Sequence, residues 1–93
     1  MDVKEAVAVA KDYVGDLYAG EEIADLGLEE VEFDDVSNEW SVTIGFLRPW
    51  NRTLPDALAL ARRASARSYK VLRIDDDSGE VKSLKDRILA PAQ

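Results

Sequence analysis

The chain has 93 residues, 46% of them hydrophobic, and this length and composition indicate one globular domain of residues 1–93. It contains no cysteine and no histidine, which excludes disulfides and thiolate nucleophiles and removes the commonest general base and metal ligand. We therefore expect a protein that is not an enzyme and that binds no cofactor or metal. The formal net charge of −7 argues against a general nucleic-acid binder.

The charges are segregated along the chain. Between Glu21 and Leu47 there are nine acidic side chains and no basic one, whereas between Arg48 and Arg73 there are seven basic side chains and one acid, Asp56. Because summed surface fields steer association and select partners, this separation favours a role in recognition.

The N-terminal residues are charged and lead into an amphipathic pattern rather than an apolar signal core, and no apolar run is long enough to span a bilayer. These features predict a cytoplasmic protein without membrane contact.

The first predicted element is a helix over 2–19. Apolar residues recur at intervals of three and four from Val3 to Leu17. Asp2 and Glu5 have the spacing of a capping box, and Gly20 fits the C-terminal cap position. The predicted buried stripe consists of Val3, Ala6, Val7, Ala10, Tyr13, Val14 and Leu17.

A hairpin is predicted over 27–47. In its first strand Leu28, Val31 and Phe33 are assigned to one face, with Glu30 and Glu32 on the other. After a turn at 35–38, the second strand alternates more strictly. Its predicted inward residues are Trp40, Val42, Ile44 and Phe46, and its outward residues are Ser41, Thr43 and Gly45.

Pro49 breaks this alternation, and the alanine-rich run that follows predicts a short helical excursion within 48–67. A second hairpin is predicted over 68–87, with a turn around Gly79, and a short tail over 88–93. The order predicts an α+β fold in which the N-terminal helix packs on a four-stranded antiparallel meander, with the excursion between strands 2 and 3.

The turn sequence Asp75-Asp76-Asp77-Ser78-Gly79-Glu80-Val81, preceded by Tyr69-Lys70-Val71 and by a helix and hairpin, resembles the repeating unit of PepSY-like domains. These domains belong with the cystatin-like arrangement of one helix on a curled sheet. The resemblance covers the chain outside 49–67 and implies that fold, together with restraint of a peptidase. The cystatin inhibitory loop, Gln-x-Val-x-Gly, has no counterpart here.

Two acidic clusters invite chemical interpretations. Asp75, Asp76, Asp77 and Glu80 are either a calcium loop or a hairpin turn, and the absence of EF-hand spacing favours the turn. The acids of the first hairpin could form a general acid–base pair or a magnesium site. Alternation places them in solvent, however, which favours a protein-binding surface or a soluble strand edge. The residues assigned to this acidic surface are Glu30, Glu32, Asp34 and Asp35.

The basic segment combines guanidinium groups with aromatic rings, as single-stranded nucleic-acid binders do. Its members are Arg48, Arg52, Arg62, Arg63 and Arg67, with Trp50 and Tyr69 nearby. Alternatively, these arginines pair with the acidic hairpin or face solvent. Trp50 either anchors a partner or completes the core. We include Trp50, Arg48 and Arg52 in the predicted contact surface.

The sequence therefore predicts a small, acidic, non-catalytic protein-binding module, an inhibitor or regulatory subunit, with a protein partner. A homodimer is also predicted, through an open sheet face carrying Leu47, Leu72, Ile74 and Leu84. The alternative is a small-ligand carrier whose concave sheet uses Trp40, Phe46 and Tyr69 as pocket walls.

Overall fold

The computed structural model describes residues 1–48 and 67–87. They form a helix, α1 (Val3–Leu17), and a single 3-10 turn (Ala19–Glu21). The strands are β1 (Ala24–Asp34), β2 (Glu39–Leu47), β3 (Ser68–Asp75) and β4 (Val81–Asp86). They form one antiparallel sheet in the order β1-β2-β3-β4, so the predicted α+β meander is confirmed.

The predicted excursion lies outside the described residues, apart from its two terminal residues, Arg48 and Arg67. The predicted tail over 88–93 lies outside them as well. The first hairpin spans Ala24–Leu47, where 27–47 was predicted, and the second spans Ser68–Asp86, where 68–87 was predicted.

The start of α1 was predicted correctly, and its end was not. The carboxylate of Asp2 accepts the backbone N–H of Glu5 at 2.8 Å, and the carboxylate of Glu5 accepts that of Asp2 at 3.0 Å, which is the predicted capping box. The helix ends at Leu17, with Tyr18 rather than Gly20 as its C-terminal cap. The left-handed conformation expected of a capping glycine occurs at Glu22, with φ of 52°.

The buried stripe of α1 is narrower than predicted. Ala6, Ala10 and Val14 are fully buried and lie four residues apart along one face of the helix. Val3, Tyr13 and Leu17 remain exposed, the last at 55%. The helix therefore contacts the sheet through small side chains, which allow it to pack closely.

The core lies between α1 and one face of the sheet, here called the helix-side face. Its fully buried strand residues are Val42, Ile44, Phe46, Leu72 and Ile74. Trp40, Val31, Val81 and Leu84 pack against this cluster and are partly buried. The inward assignment of the second strand is therefore confirmed.

The predicted apolar open face is wrong. In the sheet register Leu72 lies opposite Val42, Ile74 opposite Trp40, and Leu84 opposite Leu72. Residues directly opposite each other project to the same face, so Leu72, Ile74 and Leu84 belong to the helix-side core. Of the four residues predicted for the open face, only Leu47 lies on it. The face therefore lacks the apolar patch from which a homodimer was predicted. Alternation in β3 was read correctly, but the side that the helix covers was assigned wrongly.

The face away from α1, here called the second face, is polar and partly covered. Thr43 and Leu47 point outward as their position in β2 requires, yet they are only 2% and 4% exposed. On β1 a register shift between Leu28 and Glu30 inserts Glu29 as an extra residue. This bulge keeps Leu28 opposite Ile44 while Glu30 lies opposite Thr43, so both alternations predicted for β1 hold.

Candidate functional site

The predicted acidic surface divides into two parts. Glu30 and Glu32 are exposed on the second face of β1, opposite Thr43 and Ser41. The Glu30 carboxylate forms an ion pair with Arg87 that is about half exposed on both sides. Glu32 is exposed and makes no hydrogen bond or ion pair within residues 1–48 and 67–87.

Asp34 and Asp35 lie where β1 turns into β2. The Asp34 carboxylate accepts the backbone N–H groups of Val36 at 3.0 Å and Ser37 at 3.4 Å. These backbone hydrogen bonds lower the pKa of Asp34, because they stabilise its charged form. Asp35 is exposed and has no partner within the described part of the chain. One carboxylate thus shapes the turn and the other points into solvent.

Arg48 lies at the opposite end of the hairpin from these two aspartates. Its guanidinium forms a bidentate ion pair with Glu21, at 2.6 and 2.7 Å from the two carboxylate oxygens. The same group lies over the ring of Tyr18, 4.9 Å from the centroid. Arg48 is therefore engaged by the end of α1. Trp50 and Arg52 lie outside the described residues.

Two arginines reach across the second face to the bulged part of β1. Arg67 donates to the carboxylate of Glu29 at 3.3 Å and to the backbone carbonyl of Asp25 at 2.9 Å. Arg87, which follows β4, donates to Thr43 Oγ1 at 3.2 Å and to Glu30. For Arg67 the structure agrees with the interpretation that arginines of the basic segment pair with the acidic hairpin. Arg62 and Arg63 lie outside the described residues.

Gly45 makes room for the Arg67 pair. A Cβ atom at this position would lie 2.6 Å from Oε2 of Glu29 and 3.0 Å from the Arg67 guanidinium. A larger residue would require the side chains of Glu29 and Arg67 to shift. Glycine in the middle of a strand is usually unfavourable, and here it marks a close approach of side chains from β1 and from Arg67.

The acidic turn between β3 and β4 has the geometry of a structural turn. The Asp75 carboxylate accepts the N–H groups of Asp77 at 3.0 Å and Ser78 at 2.7 Å, and Gly79 has φ of 74°. Backbone donation from Ser78 lowers the pKa of Asp75. The turn interpretation, with a positive φ at Gly79, is confirmed. No three carboxylates within the described residues stand where they could hold one metal ion.

A network that the sequence did not predict connects this turn to the core. Trp40 donates from its indole N–H to Asp76 at 2.8 Å, and the Met1 ammonium lies 3.1 Å from the same carboxylate oxygen. Donation by Trp40 and then by Met1 lowers the pKa of Asp76, and the Asp76 carboxylate raises the pKa of the Met1 ammonium. Trp40 and Met1 are 36 and 75 residues from Asp76 in the chain, so no local sequence pattern predicts these contacts.

Glu39 forms a second unforeseen network. Its carboxylate is 10% exposed and accepts from Lys82 at 2.8 Å and from Arg73 at 2.6 Å. Lys82, and then Arg73, lower the pKa of Glu39. Glu39, the most buried acidic residue in the described part of the chain, is thus neutralised by two cations from the second hairpin.

The first hairpin also exposes large apolar side chains that sequence reasoning had assigned to the core or left aside. Leu28 and Phe33 on β1 are each 42% exposed, although Phe33 contacts the Trp40 ring at a centroid distance of 4.9 Å. Val36, at the tip of the turn, is 93% exposed. Apolar and acidic groups therefore alternate along β1, with Leu28 and Phe33 on the helix-side face and Glu30 and Glu32 on the second face.

The predicted ligand pocket is wrong. Trp40 and Phe46 lie on the helix-side face, and Phe46 is fully buried, whereas Tyr69 lies opposite Gly45 on the second face. These three rings cannot line one cavity. An open concavity of about 280 Å³ does exist on the second face. Its lining consists of Glu32, Asp34, Glu39, Trp40, Ser41, Val71, Arg73, Ser83 and Lys85.

Comparison with family models, with curated proteins and with solved structures gave no match to this chain. The resemblance to PepSY-like domains stays a prediction. No helix among the described residues has the length and apolar character needed to cross a membrane.

Proposed function

We propose that this protein is a non-catalytic protein-binding module whose contact surface is the first hairpin. The hairpin surface is the exposed set on β1 and its turn: Leu28, Glu32, Phe33, Asp34, Asp35 and Val36. The observation that carries the proposal is the exposure of Leu28 and Phe33 on β1, a strand at the edge of the sheet, and of Val36 in the turn that follows it.

This combination suits a protein partner. Apolar side chains that remain exposed can enter pockets of a partner and supply affinity, and surrounding charges select the partner and accelerate encounter. The surface contains no basic residue, since none occurs between Glu21 and Leu47. The partner should therefore present apolar side chains within a basic region.

A non-catalytic role is consistent with the chemistry of this surface. Neither histidine nor cysteine is present in the chain. Asp34 is held as a charged acceptor by its own turn, which lowers its pKa and makes it a poor proton donor. Glu32 and Asp35 are exposed and make no hydrogen bond or ion pair within the described residues, so nothing there holds either carboxylate for proton transfer.

Binding of a small molecule has weaker support. The concavity on the second face has a volume of about 280 Å³ and is open to solvent, whereas typical ligand pockets enclose roughly 300–1,000 Å³ and bury most of the ligand's surface. We therefore favour the hairpin surface as the site of function.

A display selection with random peptides tests the proposal. The immobilised protein is compared with the variant Glu32→Lys/Val36→Ser, which alters two exposed positions of the hairpin surface. The control Val3→Ser/Glu80→Lys makes the same chemical changes at exposed positions elsewhere. Both variants shift the net charge equally.

We expect selected peptides to bind the native protein and the control, and to lose at least about tenfold in affinity for the hairpin variant. Circular dichroism establishes that both variants are folded. Peptides that bind both variants equally well would place the contact surface elsewhere and contradict the proposal.

A further inference from the structure

The edge of the sheet at β1 includes a regular segment. Within the described residues β1 pairs only with β2, so its other side carries unpaired backbone groups. Register shifts interrupt the strand between Ala24 and Gly27 and between Leu28 and Glu30. From Glu30 to Asp34 the pairing with β2 proceeds without interruption. In this segment every second residue directs its N–H and C=O groups outward, as an added strand requires.

The two faces of this segment differ in chemistry. Val31 and Phe33 project to the helix-side face, opposite Val42 and Trp40. Glu30, Glu32 and Asp34 project to the second face, with Glu32 exposed and without a partner among the described residues. A strand laid along β1 would place alternate side chains beside these two sets.

We propose that the β1 edge over Glu30–Asp34 receives an extended basic segment of another protein, which adds as a fifth strand to the sheet. The proposal rests on the proposed function and specifies its partner. The added strand alternates apolar residues, which cover Phe33 and Val31, with lysine or arginine, which face Glu30 and Glu32. Main-chain hydrogen bonds provide affinity in this mode, and the alternating side chains provide specificity.

A second copy of this chain is a poorer occupant of the same edge. Pairing β1 with β1 would bring two acidic rows together, and each copy carries a net charge of −7. The other edge strand, β4, has Lys82 and Lys85, but a register shift opposite Arg73 and Ile74 interrupts its alternation. The ammonium group of Lys82 is also engaged by Glu39.

The experiment uses a short capped peptide that alternates lysine and valine as the probe, titrated into the isotopically labelled full chain. Two further versions carry N-methyl groups on the amides of alternate residues, one on the odd set and one on the even set. A strand pairs through one edge only, so N-methylation of one set blocks pairing while methylation of the other leaves it intact. A glutamate–valine peptide and a block peptide, with lysines and valines separated, serve as controls.

We expect the backbone amide signals of Glu30–Asp34 to shift with the alternating peptide. One N-methylated version should lose at least about tenfold in affinity, because two or three hydrogen bonds are removed. The other version should bind as the parent does, and the glutamate–valine and block peptides should bind at least about tenfold more weakly. Sedimentation of the free protein should show a monomer.

The contradicting outcomes separate this inference from the proposed function. If both N-methylated versions bind as well as the parent, and Glu32→Lys/Val36→Ser still weakens binding, then the hairpin surface binds proteins but not by strand addition. If that variant binds the peptide unchanged and the shifts map away from the hairpin surface, this proposal fails, and the display selection then decides whether the proposed function fails with it. A free dimer that Glu32→Lys dissociates would make a second copy the occupant.

Discussion

The turns of the two hairpins share their local chemistry and differ in their attachment to the rest of the fold. Asp34 and Asp75 each accept two backbone N–H groups from the residues that follow, and each turn contains a residue with positive φ, Asn38 or Gly79. In the second turn, the Asp76 carboxylate also accepts hydrogen bonds from the Trp40 indole and the Met1 ammonium. The first leaves Val36 almost fully exposed. The same turn motif is thus bonded to the core in one hairpin and exposed in the other.

The difference originates in single side chains of neighbouring elements. Asn38 connects the turns directly, since its side-chain amide donates to Asp77 at 3.0 Å and its carbonyl accepts the N–H of Asp76. The Trp40 indole is the main link from the sheet to the second turn. The exposed tip of the first turn has no equivalent tether within the described residues, which leaves it available for contact.

The largest effect is expected from Trp40→Ala. The substitution removes a partly buried ring from its contact with Phe33 and deprives Asp76 of a hydrogen-bond donor. Because the ring is not completely buried, we expect a loss of about 2–3 kcal/mol in the free energy of unfolding. Denaturant unfolding measures it. A loss no larger than that of Val36→Ala would show that the second turn is not anchored through Trp40.

A smaller loss is expected when the positive-φ residues are replaced. Gly79→Ala places a side chain at φ of 74° and a Cβ atom 3.3 Å from the Met1 methyl carbon, so we expect a cost of about 1–2 kcal/mol. Asn38→Ala should cost a similar amount, because it places alanine at φ of 58° and also removes the hydrogen bond to Asp77. Gly20→Ala, with no atom within 4 Å of the new Cβ, is the control. Equal thermal stability of all three variants would show that the positive φ angles at Asn38 and Gly79 do not contribute to the stability of the two turns.

The pH dependence of stability distinguishes the two turns further. The pKa of Asp76 is lowered from 3.8 in the folded state. Its contribution to stability is therefore present above the unfolded pKa and is lost as the pH falls through the lowered value. The Met1 ammonium pKa is raised from 8.0. That contribution is present below the unfolded pKa and is lost as the pH rises through the raised value.

Asp76→Asn should therefore flatten both the acid and the alkaline limbs of the stability profile. Asp35→Asn, in the first turn, changes an exposed carboxylate without a partner among the described residues and should leave both limbs in place. The measurement is thermal unfolding across the pH range at constant ionic strength. Parallel profiles for the native protein and Asp76→Asn would contradict the network between Trp40, Asp76 and Met1.

The smallest effect on stability is expected from Val36→Ser. Val36 is 93% exposed, so its replacement should change the free energy of unfolding by less than about 0.5 kcal/mol. Binding of peptides selected on the native protein should weaken at the same time, which separates a contact role from a structural one. A stability loss comparable to that of Gly79→Ala would mean that the tip of the first turn is a structural element.

Local patterns predicted much of the fold because the interactions behind them are local. The capping box of Asp2 and Glu5 joins residues three apart, and the alternation of β2 follows from the two-residue repeat of a strand. The turn at Gly79 needs a positive φ that glycine adopts without strain. For the same reason the meander could be predicted from the order of its elements, since consecutive strands tend to pair.

The candidate site could be predicted in part. The exposure of Glu30, Glu32 and Asp35 follows from alternation and from the polar turn, and the structure places them in solvent. The exposed Leu28 and Phe33 were not foreseen as surface residues, because hydrophobic residues in a strand pattern indicate burial unless the neighbouring layer is known. Whether Leu28 and Phe33 are buried depends on how far α1 extends over β1. The sequence of β1 alone contains no information on that extent.

Tertiary structure alone decided which face of the sheet the helix covers and which charges meet. A strand such as β3, with apolar residues on both faces, is compatible with either choice, and the packing of Ala6, Ala10 and Val14 against Leu72 and Ile74 selects one. Arg67 and Arg87 reach carboxylates 38 and 57 residues away because antiparallel pairing brings segments that are distant in the chain side by side on the second face. Sequence determines elements through short-range hydrogen bonding and steric preference, whereas pairing across the fold depends on distances that exist only after the layers have packed.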